Sequence, residues 1–286
     1  MEVNSFLWTS LMDYRHLASS KRSSSEGGMV RFFVFLMTAI YLVDAYQYFS
    51  FVNGASDYVV TIAPLTPIKT YLMFQDFPLD RTLYDLLFQQ KGAMGLDELT
   101  PATQDLLKKV LETGRELGSM RVPLEDLSIL KGQIYRLFTP ALLHANLLHI
   151  LFNLLWFLAL GNMIENRAGN RKLLVLILIV GIIANIAQFI ATGPLFLGVS
   201  GVVCGMAGFI FIRTKRAPWE GYPLSNSGIG LLFIYIVFLT LIEIFGKVYL
   251  YLSGTTMISP IANTAHMTGA VLGGLLGWNR WFRCTR

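Results

Sequence analysis

Six apolar stretches separated by polar punctuation run along the chain, at about 32–52, 146–164, 173–192, 199–212, 228–246 and 262–279. A helix needs about 20 apolar residues to cross the hydrocarbon core of a bilayer, so each stretch reads as a span. The fourth is shorter. It begins at a Gly-rich turn, Gly198-Val199-Ser200-Gly201. Non-helical backbone at membrane depth is tolerated only where protein buries it or a wet cavity receives it, and this turn therefore marks a candidate site. Before the first span, residues 1–29 are polar and rich in Ser and Gly towards their end, as in a flexible tail. No apolar run precedes Arg31, so no ordinary cleavable signal peptide is expected.

Residues 54–131 interrupt the apolar pattern with eleven acidic and eight basic side chains. Within them, Thr100-Pro101 has the form of an N-cap followed by proline at the first helical position. Leu106, Leu107, Val110, Leu111 and Leu117 then give one apolar face. The expectation is a small amphipathic helical subdomain on the membrane surface.

Composition strengthens this picture. Of 286 residues, 54% are hydrophobic and 14% charged, against about 25% charged in soluble domains, and the mean hydropathy is +0.53. These values exclude a disordered protein, a secreted disulfide scaffold and a cytosolic enzyme. The net charge of +5 is not gathered in one patch, so a nucleic-acid partner is not expected. The two cysteines, Cys204 and Cys284, lie in an apolar run and a basic tail, and neither a disulfide nor a metal cluster is expected from them.

Charge also orients the chain. Basic residues cluster before the first span (Arg15, Lys21, Arg22, Arg31), after the second (Arg167, Arg171, Lys172), after the fourth (Arg213, Lys215, Arg216) and at the C-terminus (Arg280, Arg283, Arg286). With six spans and both termini cytoplasmic, every cluster falls inside and the acidic insertion falls outside.

Polar residues within spans are costly and are functional candidates by default. At about 1.5 Å per residue from the inner helix ends, Ser200 and His266 lie roughly 20 Å up, Asn153 about 18 Å and His149 about 24 Å. One level thus holds polar groups from three helices. Ser200, between glycines at a helix start, would face free N–H groups and the positive end of the helix dipole. The stripes Gly201, Gly205, Gly208 and Gly269, Gly273, Gly277 allow two backbones to approach closely. If they face each other, Ser200 and His266 come within hydrogen-bond reach. His149 and Asn153, four apart on one helix face, can both donate to developing negative charge. A metal pair of His144 and His149 is not expected, because residues five apart diverge on a helix and no third ligand joins them. Asp44 matches the height of the site. It is read as an acid facing the wet cavity or outer rim, with a triad acid as the alternative. Glu243 is read as interfacial. Phe233, Tyr235 and Phe238 are read as lipid-facing or packing groups.

At this point the chain resembles a rhomboid intramembrane serine protease over about residues 130–280. Tyr135-Arg136 resembles the aromatic-arginine pair of the first loop, and His149-x-x-x-Asn153 resembles the second-helix motif. Glu165-Asn166-Arg167 resembles the E-x-R end of that helix. Gly198-Val199-Ser200-Gly201 matches the nucleophile motif, and Ala265-His266-Met267-Thr268-Gly269 matches the A-H-x-x-G of the sixth helix. The resemblance implies an all-α, six-transmembrane-helix bundle over residues 30–286 with an enlarged outer insertion, 54–131. It implies a Ser200–His266 dyad without a third acid and an oxyanion hole from His149, Asn153 and the Ser200 backbone. Gly198, Gly201, Cys204 and Gly269 would support the site. Substrates would be membrane-anchored proteins cut near the outer face, with no metal or cofactor. In the family, the fifth helix borders the lateral access route for substrate. The expected setting is a bacterial inner (plasma) membrane.

The sequence departs from the family's pattern at Cys204, where an aromatic usually packs on the histidine, at Tyr135, where tryptophan is common, and in the length of the insertion. The alternative reading is an inactive relative that binds or sorts membrane clients. A transporter or channel would call for paired intramembrane charges or an inverted repeat, and neither is evident.

Overall fold

The computed structural model describes residues 28–53, 65–75, 82, 85–87, 99–117, 127–223, 241, 245 and 262–283. Among these residues the regular structure is helical. Helix α1 is Gly28–Val52, α2 Pro67–Leu72, α3 Pro101–Leu117, α4 Leu147–Ala168, α5 Asn170–Thr192, α6 Ser200–Arg216 and α7 Asn263–Trp278. Short 3₁₀ turns cover Ile134–Leu137, Thr139–Leu142, Pro218–Glu220 and Arg280–Phe282. Five of the six apolar stretches carry a helix. The fifth stretch lies almost wholly outside the described residues, and so do residues 1–27 and much of 54–131. Glu243 and the fifth-span aromatics also fall outside.

Among the described residues, α1, α4 and α5 are long and apolar enough to cross a membrane. Helices α6 and α7 are shorter, 17 and 16 residues, and both start from non-helical backbone, at Val199 and Ala262.

The tightest packing is between α6 and α7. A Cβ placed on Gly269 would run into the Gly201 carbonyl, and one on Gly273 into the Gly205 carbonyl. A Cβ on Gly277 would stand 2.8 Å from the Phe209 carbonyl. On the other side of the seam, a Cβ on Gly208 would strike the Ala270 carbonyl. The two glycine stripes therefore face each other with backbone against backbone. Lipid tails are as apolar as leucine, so helices in a bilayer associate through such close van der Waals packing. Around this pair, Phe157, Leu160, Ile164, Leu176, Ile177, Val180, Met206 and Phe209 form a fully buried core joining α4, α5 and α6.

Polar ties gather at the two ends of the bundle. At one end the Glu165 carboxylate of α4 accepts from the amides of Met29 (2.8 Å) and Val30 (3.3 Å), the first turn of α1. These are orphan donors of a helix N-terminus, and a carboxylate there also complements the dipole. At the same end, Arg167 donates to the carbonyls of Glu220 and Gly221. Arg213 pairs with Glu220, both side chains only 3% exposed, and also donates to the Gly277 carbonyl. Lys172 donates to the Arg283 carbonyl. The basic residues of two connections thus lie at one end.

At the other end, residues 65–75 form a short strap. Asp44 of α1 is 5% exposed, accepts from the Thr66 hydroxyl and forms an ion pair with Lys69 at 2.9 Å. Arg136, 1% exposed, donates to the carbonyls of Thr70 (2.9 Å), Met73 (2.8 Å) and Gln75 (3.3 Å). The Thr139 hydroxyl donates to the Leu72 carbonyl. Asp44 is thus a buried acid tied to the strap, not one turned to open water as expected, and His266 Nδ1 faces Asn263. In α3, Leu107 and Thr103 are buried, while Lys109 and Asp105 pair on the exposed side.

Two expectations follow from this packing. Gly273→Val should lower the unfolding temperature in detergent far more than Gly274→Ala, whose added Cβ would meet Ile212 at 3.4 Å and the Gly208 carbonyl at 3.8 Å. Equal shifts would mean that the helices do not rely on the seam. Glu165→Ala should cost about 1–2 kcal/mol, the upper range for a lost helix cap, and Glu165→Gln less. The same melts read both.

Candidate active site

Ser200 is the first residue of α6. It follows Gly198, whose φ of +117° is a conformation that favours glycine. The turn is held by the Gly198 amide, which donates to the Pro140 carbonyl at 2.9 Å. His266 sits in the first turn of α7 and is 3% exposed. The Ser200 hydroxyl lies 2.7 Å from His266 Nε2. This contact is one residue from the Gly201–Gly269 crossing, so the seam sets it. Gly201 could take a side chain only by pressing on the Ala265 carbonyl, 3.2 Å from its Cβ position. Gln188 of α5 accepts from the Ala265 amide at 2.9 Å and steadies the start of α7.

His266 Nδ1 lies 3.2 Å from the Asn263 side-chain oxygen. With Nδ1–H donating to that oxygen, Nε2 is left as an acceptor for the serine proton. Asn263 is 9% exposed. Sequence reasoning did not single it out. The available signal was its i,i+3 spacing from His266, which puts both on one face of α7.

His149 and Asn153 come from α4. Asn146 caps that helix by accepting from the His149 amide at 2.9 Å. His149 Nδ1 accepts from the Ala145 amide at 3.3 Å, which leaves the ring proton on Nε2. That edge of the ring faces Gly198: a Cβ there would stand 2.9 Å from Cε1 and 3.0 Å from Nε2 of His149, and 3.8 Å from the Ser200 hydroxyl. Only a glycine lets the imidazole approach the turn before Ser200 this closely. Asn153 is 6% exposed and donates one N–H to the His149 carbonyl at 3.0 Å, which leaves its second N–H for another acceptor.

His144 was expected to diverge from His149. Instead the rings stand edge to face with centroids 5.2 Å apart, because His144 precedes α4 and is not on its helical repeat. Neither ring nitrogen of His144 has a hydrogen-bond partner. Burial, with His149 nearby, pushes its pKa down to about 3, against an opposing pull from the Leu142 carbonyl. His144 is therefore neutral at ordinary pH. Two imidazoles alone make no metal centre, and among the described residues no third His, Cys, Asp or Glu completes one.

Cys204 is one turn past Ser200, a free thiol 3% exposed. Tyr135 is 45% exposed and lies against the Arg136 guanidinium, 5.4 Å from its ring centroid. An apolar groove of about 270 Å³ runs between α6 and α7 past Gly208, Gly274 and Trp278. It is lined by no acid, base or nucleophile and begins two turns below Ser200.

The arrangement has the kinds of group that acyl transfer calls for. A hydroxyl stands at a helix N-terminus, a histidine nitrogen can take its proton, and two further donors come from α4. A family model described as Rhomboid domain matches residues 131–282, a range that holds all of these groups. The match covers more than half of the chain, and three of the described helices are fit to cross a membrane. The chain is an integral membrane protein and belongs to the rhomboid family.

Proposed function

We propose that this protein is an intramembrane serine endopeptidase that cuts transmembrane segments of membrane-anchored proteins near the outer membrane face. The observation that carries the reading is the 2.7 Å contact between the Ser200 hydroxyl and His266 Nε2 at the head of α6.

In this reading His266 Nε2 accepts the Ser200 proton as the oxygen attacks the scissile carbonyl carbon. The carbonyl oxygen becomes an oxyanion. His149 Nε2–H, the second Asn153 N–H and the Ser200 backbone N–H are the donors that meet it, helped by the dipole of α6. His266 then gives its proton to the leaving amine, and water releases the acyl group by the same steps in reverse order. Asn263 holds the histidine in the required tautomer. Gly198 and Gly201 give the close approaches. Gly269 fixes the distance between the helices, and Cys204 fills the space one turn below the serine.

We further propose that the basic end of the bundle is cytoplasmic and that the site opens outward. Arg167, Lys172 and Arg213, tied together at one end, support this orientation. A bacterial inner membrane, with both termini inside, agrees with it.

Purified protein in detergent should cleave a model transmembrane substrate, and Ser200→Ala and His266→Ala should each abolish cleavage, with the double variant no worse than either. Cleavage within about tenfold of wild type in either single variant would sink the dyad. An inactive wild type that binds the substrate would point to a client-sorting relative. Asn153→Ala should lower turnover about 10²-fold with little change in substrate affinity; an effect on affinity alone would assign it to binding. Asn263→Ala should slow turnover less than His266→Ala, and the acid limb of its pH–rate profile should move. An unmoved profile would leave Asn263 a packing group.

A further inference from the structure

The turn that carries Ser200 has a second support, from a part of the chain outside the family match. Residues 193–199 link α5 to α6 without regular structure. Such a segment cannot fix a hydroxyl to a few tenths of an ångström by itself. Phe196 of this segment turns inward and is 7% exposed. Its ring stands 5.6 Å from the ring of Phe74. Phe74 is 2% exposed and also stacks on Phe189 of α5, with centroids 4.6 Å apart and planes 19° from parallel. Next to it, Met73 and Leu143 form a small apolar cluster on which Leu197 packs. Phe196 and Leu197 immediately precede Gly198.

The strap that presents Phe74 is held by strong ties. Arg136 holds the carbonyls of Thr70, Met73 and Gln75, and Lys69 is paired with Asp44 of α1. Hydrogen bonds from a buried guanidinium are among the stronger ones, and removing one partner of such a group leaves a costly unpaired charge. The strap is thus a fixed platform, and the nucleophile turn rests on it through Phe196.

From this geometry we propose that Phe74 is a positioning residue of the active site. It holds the 194–199 turn so that Gly198 stays against His149 and Ser200 against His266. The outer insertion then supports the site through this contact, although it lies outside residues 131–282. The inference rests on the reading of Ser200 as nucleophile.

The test uses the full chain in detergent and a fluorophosphonate probe, which reports Ser200 reactivity without a transmembrane substrate. Phe74→Leu keeps an apolar side chain but loses the ring, and should label about tenfold more slowly, since a misplacement near 1 Å can cost up to about 10²-fold. Phe74→Tyr should label within about twofold of wild type, because the stacking ring is kept. Phe196→Leu should show the same loss as Phe74→Leu, and the double variant should be no slower than the slower single. A structural role alone would lower the unfolding temperature and leave the labelling rate of the folded protein unchanged. Wild-type labelling in Phe74→Leu, or losses that multiply in the double variant, would overturn the proposal. If Phe74→Leu does not fold, Phe196→Leu alone decides it in the same way. A wild type that labels no faster than Ser200→Ala would overturn the parent reading together with this one. Labelled wild type with unaffected phenylalanine variants would overturn this one only.

Discussion

The approach of α6 to α7 is the constraint on which the site depends. Water supplies no hydrophobic drive between helices inside a bilayer, so close contact must come from shape. Gly201, Gly205 and Gly208 on one side, and Gly269, Gly273 and Gly277 on the other, let backbone meet backbone at the crossing. The crossing begins one residue after Ser200 and three residues after His266. Any separation of the helices would therefore appear almost undiminished in the 2.7 Å contact. In the proposed mechanism, reactivity and helix packing are one geometric variable.

Packing fixes distance but is weak on register, since smooth surfaces can slide and rotate. Directional polar ties supply what the seam lacks. Glu165 sets the height of α1 against α4, and Arg213 joins α6 to the Pro218–Glu220 turn and to α7. At the far end Asp44 and Arg136 bind the strap to α1 and to the turn before α4. The buried Arg213–Glu220 ion pair contributes modestly to net stability, but removing one of its partners costs about 3–5 kcal/mol. The use of polar ties as registration devices at both ends fits a bundle whose middle is nearly all apolar.

Much of this was legible in the sequence. Apolar length marked the helices, and spacing by four put His149 with Asn153 and aligned the glycines. Counting residues from the inner ends gave a common depth for Ser200 and His266. Depth, however, is only a height. It says nothing of azimuth, so Asp44 at the right level was open to two readings until Lys69 and Thr66 were found beside it. Those partners come from a segment with no repeating pattern, where periodicity carries no information. Asn263 was missed because a capping-type residue at a helix start looks ordinary. His144 was misjudged because a helical rule was applied to a residue ahead of the helix. Local pattern identified the elements, and the cross-chain ties needed coordinates.

The Glu165 contact to α1 has a consequence for how the protein is made. The amides it receives, at Met29 and Val30, are more than 130 positions earlier in the chain. A ribosome delivers α1 to the membrane long before it has synthesised Glu165. In that interval the N–H groups of the first turn must find partners other than Glu165, since helix termini have no intrahelical partner for them. The first helix therefore cannot reach its final capped state on insertion. It waits at the membrane edge with a provisional cap, and α4 replaces that cap when it arrives. This contact between α1 and α4 can therefore form only after Glu165 has been made.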